Sequence, residues 1–296
     1  MKAPSQRLVK DRARHLRGGL QAGLAAAWLV TALPSGANTE KNAITETMLS
    51  SISMLDPART DHPRPELFQR PVALAKDLHG PDGIARDAET GDVYVAEEDA
   101  ATISRIQPNG FRQVVIDSST PLYEGTGKSR KKAAGLRSPE GLALDGKGTL
   151  YVVEDVPGGR LLSFNLKAKN AGPASGGEVV PLPISDNLFA WECVAVGPEG
   201  ELLLAGSTLE SLLGESGKTD LFRGALLYRD IHGDWWLPLN HVMASYSAVC
   251  FSADGNYAFF ASEIPGSVGC LDLRTHFLRT YLSNRTFRSP EGLCAL

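Results

Sequence analysis

The chain has 296 residues, a net charge of −4 and an isoelectric point near 5.9, with 22% charged and 7% aromatic residues. A mildly acidic balance without a long basic stripe excludes nucleic acid as an expected partner. Four cysteines with no Cys-x-x-Cys spacing exclude a zinc-ribbon or dithiol redox motif.

In chain order, Lys2, Arg7, Lys10, Arg12, Arg14 and Arg17 make a basic start, Leu20 to Leu33 is almost wholly apolar, and Pro34-Ser35-Gly36-Ala37 ends it with small residues. That order predicts a secretory signal peptide over 1–37, with cleavage before Asn38, or alternatively an uncleaved anchor. The expected location is periplasmic or secreted, with no membrane association beyond this segment. Residues 38–65 read as a linker or N-terminal extension, and 66–296 as one domain.

Five near-copies of one phrase organise that domain: Pro81-Asp82-Gly83-Ile84-Ala85, Pro139-Glu140-Gly141-Leu142-Ala143, Trp191-Glu192-Cys193-Val194-Ala195, Tyr246-Ser247-Ala248-Val249-Cys250 and Pro290-Glu291-Gly292-Leu293-Cys294. Taken at the second position of each copy, the steps are 58, 52, 55 and 44 residues. A period near fifty is the mark of a repeat architecture. Each of the first four copies is followed by a Gly/Asp/Asn turn and a second apolar run, such as Val93–Glu97, Leu150–Glu154, Leu202–Ala205 and Tyr257–Glu263. Third runs follow at 103–106, 160–164, 225–228 and 268–271, and fourth runs show best at 113–116 and 277–280. Short β-rich runs joined by such turns are hairpins, and four per period describe a propeller blade. The predicted fold is all-β: a β-propeller of four-stranded antiparallel blades, either a shortened six-bladed type or a five-bladed ring. Trp235-Trp236 are expected to pack between blades.

A basic cluster at Lys128-Ser129-Arg130-Lys131-Lys132 falls in a long inter-blade loop and reads as a solvated surface. The neighbouring Gly125-Thr126-Gly127-Lys128-Ser129 lacks the leading glycine and the following helix of a phosphate-binding loop. Cys193, Cys250, Cys270 and Cys294 are expected as small buried hydrophobes, with disulfide pairing as the alternative in an exported chain.

The candidate chemistry lies in the acidic positions. The first strand of a blade lines the central channel and the second returns to the same face, so Asp82, Glu140, Glu192 and Glu291 should surround one mouth. Glu97, Glu98, Glu154, Asp155 and Glu263 should stand near them at second-strand ends. Carboxylates converging there repel one another unless a cation neutralises them, and hard oxygen donors suit calcium. Asp82, Glu140, Glu192 and Glu291 are therefore the candidate metal ligands. The alternative is that each acid merely caps its turn by accepting local backbone N–H groups.

The run Pro139-Glu140-Gly141-Leu142-Ala143-Leu144-Asp145-Gly146, continuing to Leu150-Tyr151-Val152-Val153-Glu154, resembles the gluconolactonase/senescence-marker-protein superfamily and the related NHL-repeat and strictosidine-synthase-like propellers. The resemblance spans about residues 66–296. It implies one divalent cation at the channel mouth, held by a Glu near the start of the ring and by Asn and Asp from later blades, and a metal-activated water that opens a lactone. Asp82 or Glu140 would match the first ligand; Trp191-Glu192-Cys193 and Tyr246-Ser247-Ala248 stand where the later ligands are expected, without that Asn and Asp. The function this implies is a metal-dependent hydrolase of lactone or ester bonds in small, sugar-derived substrates. Glu154, Asp155 and His241 are candidate bases, and Arg137 and Arg288 candidate contacts for an anionic substrate. Two rival readings stand beside it: a non-catalytic NHL-like module binding a peptide or glycan partner, and a sugar oxidoreductase propeller.

Overall fold

The computed structural model describes residues 29–30, 73–167, 176–184, 189–211, 220–242, 244–264, 266–282, 290 and 292–295. The linker at 38–65 and all of the signal segment except Leu29–Val30 lie outside them. The two-residue strand β1 (Leu29–Val30) runs parallel to β20 (Cys294–Ala295). No described helix is long and apolar enough to cross a membrane.

Four antiparallel blades account for nearly all the remaining strands. Blade 1 comprises β2 (Pro81–Arg86), β3 (Val93–Glu97), β4 (Thr102–Ile106) and β5 (Arg112–Ile116). A hairpin of β6 (Leu122–Glu124) and β7 (Lys131–Ala133) follows. Blade 2 comprises β8 (Pro139–Leu144), β9 (Thr149–Glu154), β10 (Leu161–Asn165) and β11 (Gly177–Val180), and β6 adds parallel to the outer edge of β11. Blade 3 comprises β12 (Phe189–Val196), β13 (Leu202–Ser211), β14 (Asp220–Arg229) and β15 (Trp235–Val242). Blade 4 comprises β16 (Ser245–Phe251), β17 (Tyr257–Ile264), β18 (Ser267–Asp272) and β19 (Phe277–Leu282). The basic loop thus belongs to an added hairpin, where Arg130 lies over the Tyr123 ring and pairs with Glu178, and Lys131 pairs with Glu124.

The repeated phrase works as a peg. Its fourth residue enters the core shared with the preceding blade: Leu142 beside Tyr94 and Ala96, Val194 beside Ala143 and Val153, Val249 beside Leu203 and Leu226. Its fifth residue, Ala85, Ala143 or Ala195, faces the following blade. Each fully buried Leu, Ile or Phe in these seams contributes about 1.5–3 kcal/mol of transfer free energy. Trp235 packs on the seam of blades 2 and 3 and Trp236 on that of blades 3 and 4, as expected.

The described residues form four blades, which corrects the expectation of five or six. The physical reason shows in the pegs. Leu142, Val194 and Val249 are 7%, 3% and 4% exposed, whereas Ile84, with no described blade before it, is 67% exposed. The fifth phrase does take the place of a next inner strand: the Ser247 hydroxyl donates to the Pro290 carbonyl at 2.7 Å, and Leu293 lines a pocket with Cys250 and Phe251. Cys193 and Cys270 are free thiols, Cys270 buried and Cys193 half-buried like Cys250. The side chain of Cys294 lies outside the described residues.

Candidate metal centre

The inner strand of each of the four described blades slips register at the second position of its phrase. Two residues, Asp82 and Gly83, face one between the Pro81–Glu97 and Ile84–Val95 pairs. The same slip falls at Glu140-Gly141, at Glu192 and at Ser247. A β-bulge of this kind re-aims a side chain, so the second residue of the phrase leaves the seam and turns to the mouth. A glycine inside a strand signals a bulge or close approach, and Pro-acid-Gly carried that signal. At Gly141 the approach is explicit, for a Cβ there would stand 2.7 Å from the Cys193 Cα and 2.8 Å from the Glu192 carbonyl oxygen. This contact brings the bulges of β8 and β12 together.

Glu140, Asp155 and Glu192 result from that approach as one group, each offering a carboxylate oxygen within 4.8 Å of the others. Glu140 and Asp155 are half-buried and Glu192 is buried. Burial, reinforced by the neighbouring charges of Glu192 and Asp155, pushes the Glu140 carboxyl well above the ordinary carboxylate range. Such an arrangement disfavours full ionisation and is relieved by a bound cation. Three converging hard oxygen donors fit a calcium-like divalent ion, whose remaining positions carbonyls or water would fill. The residues present therefore fit the implied group.

The other predicted residues are placed differently. Glu154, expected as a base, has a fully buried side chain occupied by structure. It accepts from the Arg137 backbone N–H at 2.9 Å, from Arg137 Nη2 at 3.0 Å, and from Arg160 Nε and Nη2 at 2.7 and 2.5 Å. Arg137 also reaches the Gly158 carbonyl at 2.9 Å, and its side chain remains 42% exposed toward solvent. Asp82 is exposed at the equivalent start of blade 1 and stands outside the three-carboxylate group. Arg288 and Glu291 lie outside the described residues, as does the His241 side chain.

Blade 1 repeats the clamp. Burial alone would raise the Glu97 carboxyl, but bonds from Ser104 Oγ, the His79 N–H and Arg112 outweigh it and hold it below the ordinary value of 4.5. Arg112 Nη2 meets both Glu97 oxygens at 2.6 and 2.7 Å. Just before each of the first two phrases stands a residue in the left-handed region, Gly80 (φ 60°) and Ser138 (φ 38°). Its carbonyl accepts the N–H of the acid that follows the clamped glutamate, Glu98 at 2.8 Å and Asp155 at 2.9 Å. Ser138 Oγ further donates to Glu98 Oε1 at 2.7 Å. Sequence reasoning missed Ser138, Arg112 and Arg160: the left-handed φ of Ser138 and the pairing of both arginines with glutamates appear only in the folded chain.

Fold and site together define a β-propeller with a three-carboxylate group where two inner strands enter the channel mouth. No protein-family model and no curated protein matches the chain. Among solved structures it is similar to a gluconolactonase from Xanthomonas campestris, with a TM-score of 0.52 and 10% identity over 70% of this chain and 64% of that one. It is also similar to a protein assigned as a gluconolactonase, with a TM-score of 0.50 and 13% identity over 72% and 66% of the two chains. A third likeness is to the calcium-binding protein regucalcin from Agrobacterium tumefaciens, with a TM-score of 0.46 and 12% identity over 70% and 60%. The chain thus spans just under two thirds of the two gluconolactonase chains. The resemblance to gluconolactonase-type propellers is one of fold.

Proposed function

We propose that this protein is a metal-dependent hydrolase acting on lactone or ester bonds of small, sugar-derived substrates. The observation that carries this reading is the convergence of Glu140, Asp155 and Glu192 within 4.8 Å. The likeness in fold to gluconolactonases lends it a reaction class. Glu140, Asp155 and Glu192 would hold the cation, calcium being the ion their hard oxygens suit best. When bound, such an ion supplies Lewis-acid polarisation of a carbonyl and activation of water. Asp155, through the carboxylate oxygen not given to the cation, is assigned to accept the proton of the attacking water, because Glu154 is committed to Arg137 and Arg160. Arg137, paired with Glu154 yet 42% exposed, is suited to orient an anionic portion of the substrate. Export through the segment at 1–37 to a periplasmic or extracellular location is part of the proposal.

The test is calorimetric titration of the full-length chain with calcium, zinc and manganese, repeated on Glu140→Gln and Glu192→Gln. Stoichiometric binding that both substitutions abolish supports the reading and directs screening to lactones and esters. A parent chain that binds none of the three ions sinks it and leaves the NHL-like binding module as the better account.

A further inference from the structure

We infer that Ser138 is a positioning residue of the carboxylate group, holding Glu98 as a further, outer carboxylate at the entry to the Glu140 strand; this rests on the cation reading above. The repeat equates Glu98 with Asp155. Each follows a clamped glutamate, and each donates its N–H to the residue ahead of the phrase's proline. Asp155 faces Glu140 and Glu192, whereas Glu98 accepts the Ser138 hydroxyl at 2.7 Å.

Ser138 touches the site at three points. Its carbonyl receives the Asp155 N–H at 2.9 Å, its peptide leads through Pro139 into the Glu140 bulge, and its hydroxyl holds Glu98. It does so while 6% exposed and at a φ of 38°, a conformation glycine adopts without the steric cost serine bears. Blade 1 uses glycine at this position: a Cβ on Gly80 would stand 2.8 Å from the Asp99 carboxylate. Blade 2 has space for a side chain and fills it with a hydroxyl that ties blade 1 to the metal group. Strain that persists where glycine would serve is the mark of a residue retained for its side chain. An added negative charge near a ligand set favours a cation by Coulomb attraction, and the scale for loss of outer-shell support is about 10–100-fold in metal affinity.

The experiment compares the full-length parent with Ser138→Gly, Ser138→Asn and Glu98→Gln, by calcium calorimetry and by thermal melting in chelator. Ser138→Gly is expected to melt at the parent's temperature or above it, yet to bind calcium about tenfold more weakly. Glu98→Gln should weaken binding similarly. Asparagine tolerates the left-handed region and donates through its amide, so Ser138→Asn should bind close to the parent. If the parent binds calcium and both Ser138→Gly and Glu98→Gln bind it equally well, the inference fails while the cation reading stands. A parent that binds no calcium removes both.

Discussion

Glu154 and Asp155 are neighbours in sequence and opposites in electrostatic situation. Glu154 is fully buried, with one carboxylate shared between two guanidinium groups. One residue on, Asp155 faces two other carboxylates within 4.8 Å. Glu97 and Glu98 repeat the contrast in blade 1, the first clamped by Arg112 and the second turned to Ser138. The difference lies in which way the strand end points. A side chain turned into the seam is desolvated and must be paired, while the next one turns to the mouth, where like charges collect. Residue type alone assigns neither role.

The sharpest way to break the contrast is to empty the clamp. Glu154→Ala strands Arg137 and Arg160 without a countercharge, and removing one partner of a buried ion pair costs about 3–5 kcal/mol. Urea unfolding should show that loss with or without calcium. At the mouth the expectation is reversed. Calcium at a hundred times its dissociation constant should stabilise the parent by about 2.7 kcal/mol, and Glu140→Gln should abolish that gain. In chelator the same substitution should leave the melting temperature unchanged or higher, because it removes a repelled charge. A thermal melt series on both proteins checks this.

A third expectation concerns the spacing between the two bulges. Gly141→Ala places a Cβ against Cys193, Glu192 and Val153, and overpacking of this kind costs about 1–3 kcal/mol. It should also weaken calcium binding, since β8 and β12 must separate. Gly146→Asn, at a φ of 67° that asparagine tolerates and with nothing within 4 Å of the new Cβ, is the control for binding.

The smallest effect is the pH dependence, where the two regions have opposite signs. The Glu97 carboxyl is lowered, so its contribution is present above the ordinary value of 4.5 and is lost as pH falls through its depressed value. Glu140 is raised, so its contribution is complete below the ordinary carboxylate range and is lost as pH rises through its elevated value. Calcium-free protein should therefore gain stability on mild acidification and lose it on stronger acidification. Melting curves across that range should show the early gain disappear in Glu140→Gln, and the late loss persist.

Much of the fold was legible because its signals are local. The Pro-acid-Gly phrase, the Gly/Asp turns and the alternating runs mark hairpins wherever they occur, and strands such as Val93–Glu97 and Phe277–Leu282 stand where those signals put them. The fourth strands Gly177–Val180 and Trp235–Val242 were not legible, since an edge strand of a blade needs little apolar pattern of its own. The mouth was legible as a set of acids, without the partition of that set.

By itself the sequence determined a repeated four-stranded unit and a ring of acidic positions, because period, turn chemistry and alternation act between neighbours along the chain. Only the tertiary structure decided that the described residues pack as four blades in series, with Ile84 67% exposed at the start of the first. It alone decided that Glu154 serves the arginines, and that Glu140, Asp155 and Glu192 meet. Those outcomes depend on how closely two inner strands approach and which way each bulge turns a side chain. Both are set by packing between blades that lie roughly fifty residues apart in the chain.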